Sequence, residues 1–379
     1  MTSRFPYPLE KGDKLRAYYQ IKALAKNHDI ILISIIDEDP TKSDLEKIRE
    51  FVKEVYVIRI NYIERYRSLI NAVFSGLPFQ IAWFFSKEIK HLISHIATNI
   101  QPDHCFCQLT RMAEYCKDLQ YPKTLDYMDS FGVGMKKRAH LAKGISKYLY
   151  NIEATRMVGY EASIAKSFDH LTIISQQDKD QFTFTQTKDI HVITNGIDPS
   201  FFEDKNQIKE FDIAFVGNMA YLPNIEAAEY LINNILPLCP ANVSFLIAGT
   251  SPGPRIRKLV SDRVSISGWM QDIRDAYGKS SIFCAPLWSG TGQQNKILEA
   301  MAMGLPCITT STVNNAIGGL PDSDIMIADT ATQFAEKIGA LLNDPILYQK
   351  ISKNAKIFVK QNFDWQQNST ILSSIFLQN

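Results

Sequence analysis

Charge of one sign is what this sequence most lacks. Its 379 residues carry 41 Lys and Arg against 40 Asp and Glu, a net charge of +1, so no global basic excess points to nucleic acid. Long apolar runs are missing as well: no stretch nears the ~18 residues of a membrane span, and the opening shows no signal-peptide pattern. Cysteine is sparse and scattered. Cys105, Cys107, Cys116, Cys239, Cys284 and Cys307 have no second ligand pair at zinc spacing, and three of them sit inside apolar, strand-like runs. They are expected to be reduced core thiols of a cytoplasmic protein. A P-loop, an HExxH helix, a long low-complexity tract and a repeat of solenoid period are all absent.

What is present is an ordinary globular composition, 45% hydrophobic and 21% charged, in a chain longer than one usual domain. Two α/β domains, each with its own core, are the expectation. The most informative stretch is SGTGQQNKILEAMAMGLPCITT, Ser289 to Thr310. An apolar run of strand length, Ser281 to Leu287, precedes it and another, Cys307 to Thr310, closes it, so the unit reads strand, glycine turn, helix, strand. Gly290 and Gly292 let the backbone turn tightly and approach a ligand. A helix starting near Gly292 would aim free N–H groups and its positive dipole end there, which suits an anion. Gly304 followed by Pro306 ends the helix.

Lys296 and Glu299 stand one turn apart on that helix and share a face. At ~1.5 Å rise per residue they are offset by roughly 4.5 Å, similar to the distance between the diphosphate and the ribose diol of a nucleotide sugar. The lysine would neutralise the diphosphate and the glutamate would accept from the ribose hydroxyls. A plain surface i, i+3 ion pair is the alternative.

The segment QNKILEAMAMGLP resembles the donor-binding helix of the retaining GT-B glycosyltransferases of the large family 4, most closely a bacterial branch associated with exopolysaccharide and cell-surface glycan loci. The resemblance implies two Rossmann-like domains facing a cleft, with the C-terminal helix crossing back to the first. It places an acceptor-binding domain at 1–197 together with helix 363–379, and a donor-binding domain at 198–362. Glu299 matches the family's ribose-binding glutamate. Many members carry another glutamate where this chain has Thr291. Retention of configuration is implied, with the leaving diphosphate helping to take the acceptor proton and no metal or other cofactor required.

Along the chain, strands are expected at Ile30 to Ile36, Val55 to Ile60, His104 to Cys107, Thr124 to Asp126, His170 to Ile174 and Ile190 to Thr194. Pro8 to Arg16 resembles the branch's cleft-lining segment. Ahead of it and of the proline-bearing Phe5-Pro6-Tyr7 stand only Met1 to Arg4, so either the true start lies upstream or the sheet begins with a stub. Tyr62 to Ile100 is helical by pattern, apolar and basic, and core packing is preferred there over rest on a membrane surface. Loops at the carboxyl ends of parallel strands bind ligands, which nominates Thr110, Arg111, Asp126 and Asp129, with Gly12, Lys14 and Arg16, for the acceptor side. Glu153 and Glu161 are expected to be structural. Asn195-Gly196-Ile197-Asp198 resembles the family's hinge turn and equally suits a plain Asn-Gly turn.

In the second half, strands are expected at Phe211 to Val216, Val243 to Ala248, Val264 to Ser267 and Ser281 to Ala285. Gly217 and Asn218 resemble the loop facing the donor phosphates, without the Arg and Lys that most relatives place there. Gly268-Trp269 resembles the turn near the nucleobase. The donor set is then Gly217, Asn218, Gly268, Trp269, Gly290, Thr291, Gly292, Gln293, Asn295, Lys296 and Glu299, with Lys296 and Glu299 also at the chemistry. An inverting enzyme would need a base near the acceptor hydroxyl, for which Asp13, Asp126 and Asp129 are candidates. The expected partners are a nucleotide sugar and a glycan or lipid-linked acceptor, with peripheral contact at the inner membrane face through the first domain. Alternatives are a nucleotide-sugar epimerase of the same architecture and a non-catalytic GT-B subunit. A dehydrogenase is disfavoured by Asn295 where a third glycine would stand.

Overall fold

The computed structural model describes residues 1–182, 190–203, 205, 207–288 and 293–377. The chain forms two compact units, Met1–Thr194 with Trp365–Asn379, and Asn195–Asp364. Both are built on parallel strands.

In the first unit, Ile31–Ile36 pairs with Glu54–Arg59, and Cys105–Gln108, Lys123–Asp126, His170–Ile173 and Ile190–Val192 follow one another in a second ladder. A two-residue stub stands at the place of the expected first strand. Thr2 donates its N–H to Ile33 O at 2.9 Å and accepts from Ile35 N at 3.0 Å, while Met1 O accepts from Gln108 N at 3.0 Å. Two residues thus hold the central place between the two ladders. Ile33, Ile35, Cys107, Leu125, Leu171 and Ile173 are buried in one core cluster, as expected of a parallel sheet covered on both faces.

Tyr62 to Ile100 departs from the core-packing expectation in its first part. Lys87–Ile100 turns Ile89, Ile93, Ile96 and Ala97 inward at helical spacing. Tyr62–Ser75, by contrast, buries only Arg65 and Ala72 and leaves Tyr62, Ile63, Tyr66, Ile70, Val73 and Phe74 exposed. Glu153 and Glu161, two turns apart on the helix Gly144–Ile164, each cap another helix. Glu153 accepts from Phe79 N and Gln80 N, both at 2.9 Å, and Glu161 accepts from Gly132 N at 3.2 Å and Ser130 Oγ at 3.0 Å. The last helix, Trp365–Phe376, belongs to this unit: Leu372 and Ile375 cluster with Leu24 and Ile193, and Trp365 stacks on Tyr19 at 5.2 Å.

The second unit is one six-stranded parallel sheet in the order Met326–Ile327, Cys307–Thr309, Ser280–Ala285, Phe211–Val216, Phe245–Ala248, Val264–Gly268. The edge strand Met326–Ile327 escapes the sequence because two residues show no period. From Phe211–Val216 the chain builds to one edge, returns beside its starting strand, and builds to the other. The strand order therefore reverses between Phe211–Val216 and Ser280–Ala285.

Candidate functional site

Open α/β sheets bind ligands outside the carboxyl ends of strands where the order reverses. In the second unit that point is flanked by the loop after Val216 and by the segment leading into the helix Asn295–Ala302. Three backbone turns crowd there. Gly217 donates to Ala248 O and Gly249 to Gly268 O, each at 3.0 Å. Gly249 has φ +137, and a Cβ on it would lie 1.8 Å from Gly217 O, so both conformation and closeness exclude a side chain.

The helix comes to these turns through Lys296. Its Nζ donates to Asn224 Oδ1 at 2.5 Å, lies 5.0 Å from the Phe215 ring centre, and would stand 3.1 Å from a Cβ on Gly217. Burial lowers the Lys296 ammonium to about 8, with Glu299 opposing the shift. One turn on, Glu299 Oε2 accepts from Tyr277 Oη at 2.9 Å. Burial raises its carboxyl above the usual range, while that hydrogen bond and Lys296 pull it back. A cation and a carboxylate on one helix face thus stand partly buried beside a glycine-built floor. Chemically, such a pair can neutralise a diphosphate and accept from a vicinal diol.

The other donor candidates spread around this centre. Asn218 is exposed and its Oδ1 accepts from Ala220 N at 2.9 Å, closing a local turn. Gly268 has φ +67 and is followed by Trp269, 70% exposed. Gln293 is buried and pairs with both backbone groups of Asn195, accepting from its N at 3.0 Å and donating to its O at 3.1 Å. Asn295 Oδ1 accepts from Gln293 Nε2 and Asn195 Nδ2, each at 3.4 Å. These two amides hold the segment entering the helix against the start of the unit. The helix begins at Asn295 rather than near Gly292. Gly290, Thr291 and Gly292 lie outside the described residues. Asn224, Tyr277 and Gly249 went unnoticed in the sequence. Only the proline turn before Asn224 and the glycine ending strand Phe245–Ala248 signalled anything there.

In the first unit the strand order reverses between the Thr2 stub and Cys105–Gln108. Asp13 lies there, paired with Arg4, and its carbonyl accepts from Gln108 Nε2 at 2.9 Å. Thr110 is buried, with its hydroxyl unpaired among the described residues. Arg111 sits between the Phe84 and Phe131 rings, 4.8 Å from each, and donates to Gln80 Oε1 at 3.2 Å. Burial, then the neighbouring Arg4, lowers its guanidinium to about 10. Gly12 is exposed, and Lys14 and Asp129 are partly buried. Arg16 and Asp126 are enclosed completely: Arg16 Nε donates to Oδ2 at 2.7 Å and Nη2 to Oδ1 at 3.0 Å, with Thr172 Oγ1 donating to Oδ1 at 2.9 Å. Their side chains face each other, locking the helix Gly12–Leu24 onto the strand Lys123–Asp126.

Among the described residues no three His, Cys, Asp or Glu side chains gather as a metal site, and no helix is long and apolar enough to cross a membrane. All six cysteines are free and buried.

Residues 210–344 match the family model for glycosyl transferases group 1. The chain is 23% identical to a 44.6 kDa protein of the Klebsiella pneumoniae cps region, across 99% of this chain and 97% of that one. It is 29% identical to the Escherichia coli UDP-Gal:alpha-D-GlcNAc-diphosphoundecaprenol alpha-1,3-galactosyltransferase over 41% of this chain and 46% of that protein. Among solved structures it resembles sucrose-phosphate synthase from Thermosynechococcus elongatus, with a TM-score of 0.74 at 14% identity over 100% of this chain and 97% of that one. The Anabaena protein HepE in complex with UDP and glucose matches with a TM-score of 0.71 at 14% identity, over 100% and 98% of the two chains.

Proposed function

We propose that this chain, which has the GT-B fold and matches the glycosyl transferases group 1 model over residues 210–344, is a glycosyltransferase that moves a sugar from a nucleoside diphosphate to a glycan or lipid-linked acceptor with retention of configuration. The observation that supports the reading best is the reach of Lys296 from its helix to the Gly217 turn at the switch point of the second unit.

In this reading the second unit binds the donor. The diphosphate lies on the Gly217 turn and the start of the helix Asn295–Ala302, where Lys296 leaves Asn224 for a phosphate oxygen. As the bond to the sugar breaks, negative charge grows on the departing phosphate, and a fixed ammonium beside it stabilises that charge more than the ground state. Glu299 holds the ribose diol with the oxygen that Tyr277 leaves free, among the described residues. The exposed Trp269 ring offers a stacking face for the base.

The first unit takes the acceptor at its own switch point, with Arg4, Asp13, Thr110 and Arg111 nearest. No metal is assigned a step; cation charge comes from lysine and helix N–H groups. The cps-region relative and the diphosphoundecaprenol-dependent transferase favour a cell-surface glycan and a lipid-linked acceptor, met peripherally at a membrane. Uridine nucleotides are the first donors to test, since HepE is bound to UDP.

The test is thermal stabilisation by UDP, GDP, ADP and CMP in the wild type and in Lys296→Ala. A diphosphate that raises the melting temperature of the wild type but not of the variant supports the donor site. Equal stabilisation of both proteins removes Lys296 from it.

A further inference from the structure

We infer that the tip of the helical hairpin Phe131–Leu141 and Gly144–Ile164 is an anionic-membrane docking element, with its apolar side chains entering the lipid boundary and its basic ones meeting the headgroups.

The root of the hairpin is part of the first core. Gly132, Met135 and Ala139 are buried on one helix, and Glu153, Ala154, Met157 and Tyr160 on the other. A Cβ on Gly132 would meet Val158 Cγ2 at 2.6 Å, so the start of the first helix lies against the latter half of the second. The tip is different. Every residue from 143 to 151 is exposed, about 12 Å of helix beyond the core at 1.5 Å per residue. Five large apolar side chains stand there: Leu141 70%, Ile145 76%, Tyr148 65%, Leu149 52% and Tyr150 37% exposed. Ile145, Tyr148 and Leu149 fall at i, i+3, i+4, a single helix face. An interfacial element buries its apolar face by ~5–10 Å, which this projection matches.

Charge identifies the occupant. In a chain of net charge +1, residues 130–152 contain Lys136, Lys137, Arg138, Lys143 and Lys147 and no Asp or Glu. All five are exposed. A second copy of the chain placing the same tip opposite would set five positive charges against five, whereas an anionic bilayer satisfies both the charge and the apolar face. Exposed apolar surface is not confined to the tip. Arg156, on the same helix, donates to Ala72 O at 3.0 Å and so holds the end of the helix Tyr62–Ser75, whose Phe74 is 86% exposed.

This deepens the reading of a membrane-facing acceptor and rests on it for its biological sense, yet it is measured without donor or acceptor. The experiment is flotation of the full chain with phosphatidylcholine vesicles with and without phosphatidylglycerol. Binding is expected only with the anionic lipid and should weaken as salt rises. Lys136→Gln/Lys137→Gln/Arg138→Gln should lose about a hundredfold in affinity, at roughly fivefold per basic residue. Ile145→Ser/Leu149→Ser should lose about tenfold or more. Both variants change exposed positions and should melt with the wild type.

A wild type that stays unbound to anionic vesicles, or an Ile145→Ser/Leu149→Ser protein that floats equally, overturns the inference. So does a concentration-dependent dimer in sedimentation equilibrium that the same variant abolishes, which would give the tip to a second copy. Transfer to a water-soluble acceptor by a protein that does not float would leave the transferase reading standing and this one refuted.

Discussion

Lys296 Nζ donates to Asn224 Oδ1 at 2.5 Å, joining side chains 72 residues apart across the reversal point of the second sheet. The partner is neutral. A carboxylate there would hold the lysine against any incoming anion, whereas an amide keeps it ordered and gives it up at small cost, since a net hydrogen bond is worth about 1 kcal/mol.

Replacing Lys296 by alanine should therefore cost turnover more than binding. Removing one stabiliser of developing charge in a closed site typically lowers kcat by ~10²–10³. Asn224→Ala, which removes only the resting partner, should leave kcat within about tenfold. Steady-state kinetics with a fixed donor compares the two; an equal loss in both would mean that the pair acts through the fold.

On the proposed reading, Glu299→Ala removes hydrogen bonds to a part of the donor that does not change during reaction. It should mainly raise the donor KM, the mark of uniform binding. Tyr277→Phe frees Glu299 of its hydrogen bond and should raise KM less, by about fivefold. A fall in kcat with unchanged KM in Glu299→Ala would place that carboxylate at the chemistry instead.

The lysine's lowered value sets a pH dependence of opposite sign in two measurements. Unfolded, Lys296 titrates near the ordinary 10.5; folded, at about 8. Between these values the unfolded state binds more protons, so stability without ligand should rise with pH across the window, by on the order of 1 kcal/mol for a partly buried group. If Lys296 holds the diphosphate as proposed, binding needs the ammonium and should weaken above about pH 8, by as much as roughly tenfold per unit. Lys296→Met should flatten both curves. Melting and nucleotide titrations across pH 7 to 10 read them, and a wild type with flat curves would contradict the assignment.

These relationships show how far the sequence reached. The Lys296–Glu299 spacing was legible because both residues lie on one helix and the glycine and proline ending it are local signals. Asn224 and Tyr277 were not, because they meet the pair only through strand order, which no local pattern carries. The same gap explains Arg16 and Asp126. Both are acceptor-side candidates in the sequence, but 110 residues separate them, and only the folded sheet shows that they are fully enclosed as each other's partner. The stub at Thr2 was readable as an anomaly, and its two-sided pairing was not. A structural role for Glu153 and Glu161 is legible in the sequence but its form is not: each caps a helix other than its own.

Breaking the Arg16–Asp126 pair should be costly. Both side chains are fully enclosed, and removing one partner leaves a buried charge with its hydrogen bonds unmade, at about 3–5 kcal/mol. Asp126→Ala should thus unfold at markedly lower urea, while Asp129→Ala, only partly buried nearby, should change stability by about 0.5 kcal/mol or less. Equal midpoints for the two variants would show that the pair contributes nothing.

Glu161 gives a second pH signature, in the first unit and of opposite sense. Burial raises its carboxyl to about 7, partly offset by hydrogen bonds from the Gly132 and Phe131 N–H groups and the Ser130 hydroxyl, with Asp129 adding to the rise. The unfolded value is near 4.5, so between the two the folded state binds more protons. The stabilising contribution is full below the lower value and is lost as pH rises through the higher one. At about 1.4 kcal/mol per unit the upper limit is roughly 3 kcal/mol. Glu161→Gln keeps an acceptor for Gly132 and cannot ionise. The variant should melt at or below the wild type below about pH 4, where the carboxyl is mostly protonated folded and unfolded, gain on it between about pH 4.5 and 7, and keep a constant lead above that. A difference between the two proteins that does not move with pH would mean that Glu161 stays ionised in the fold, held by its three donors.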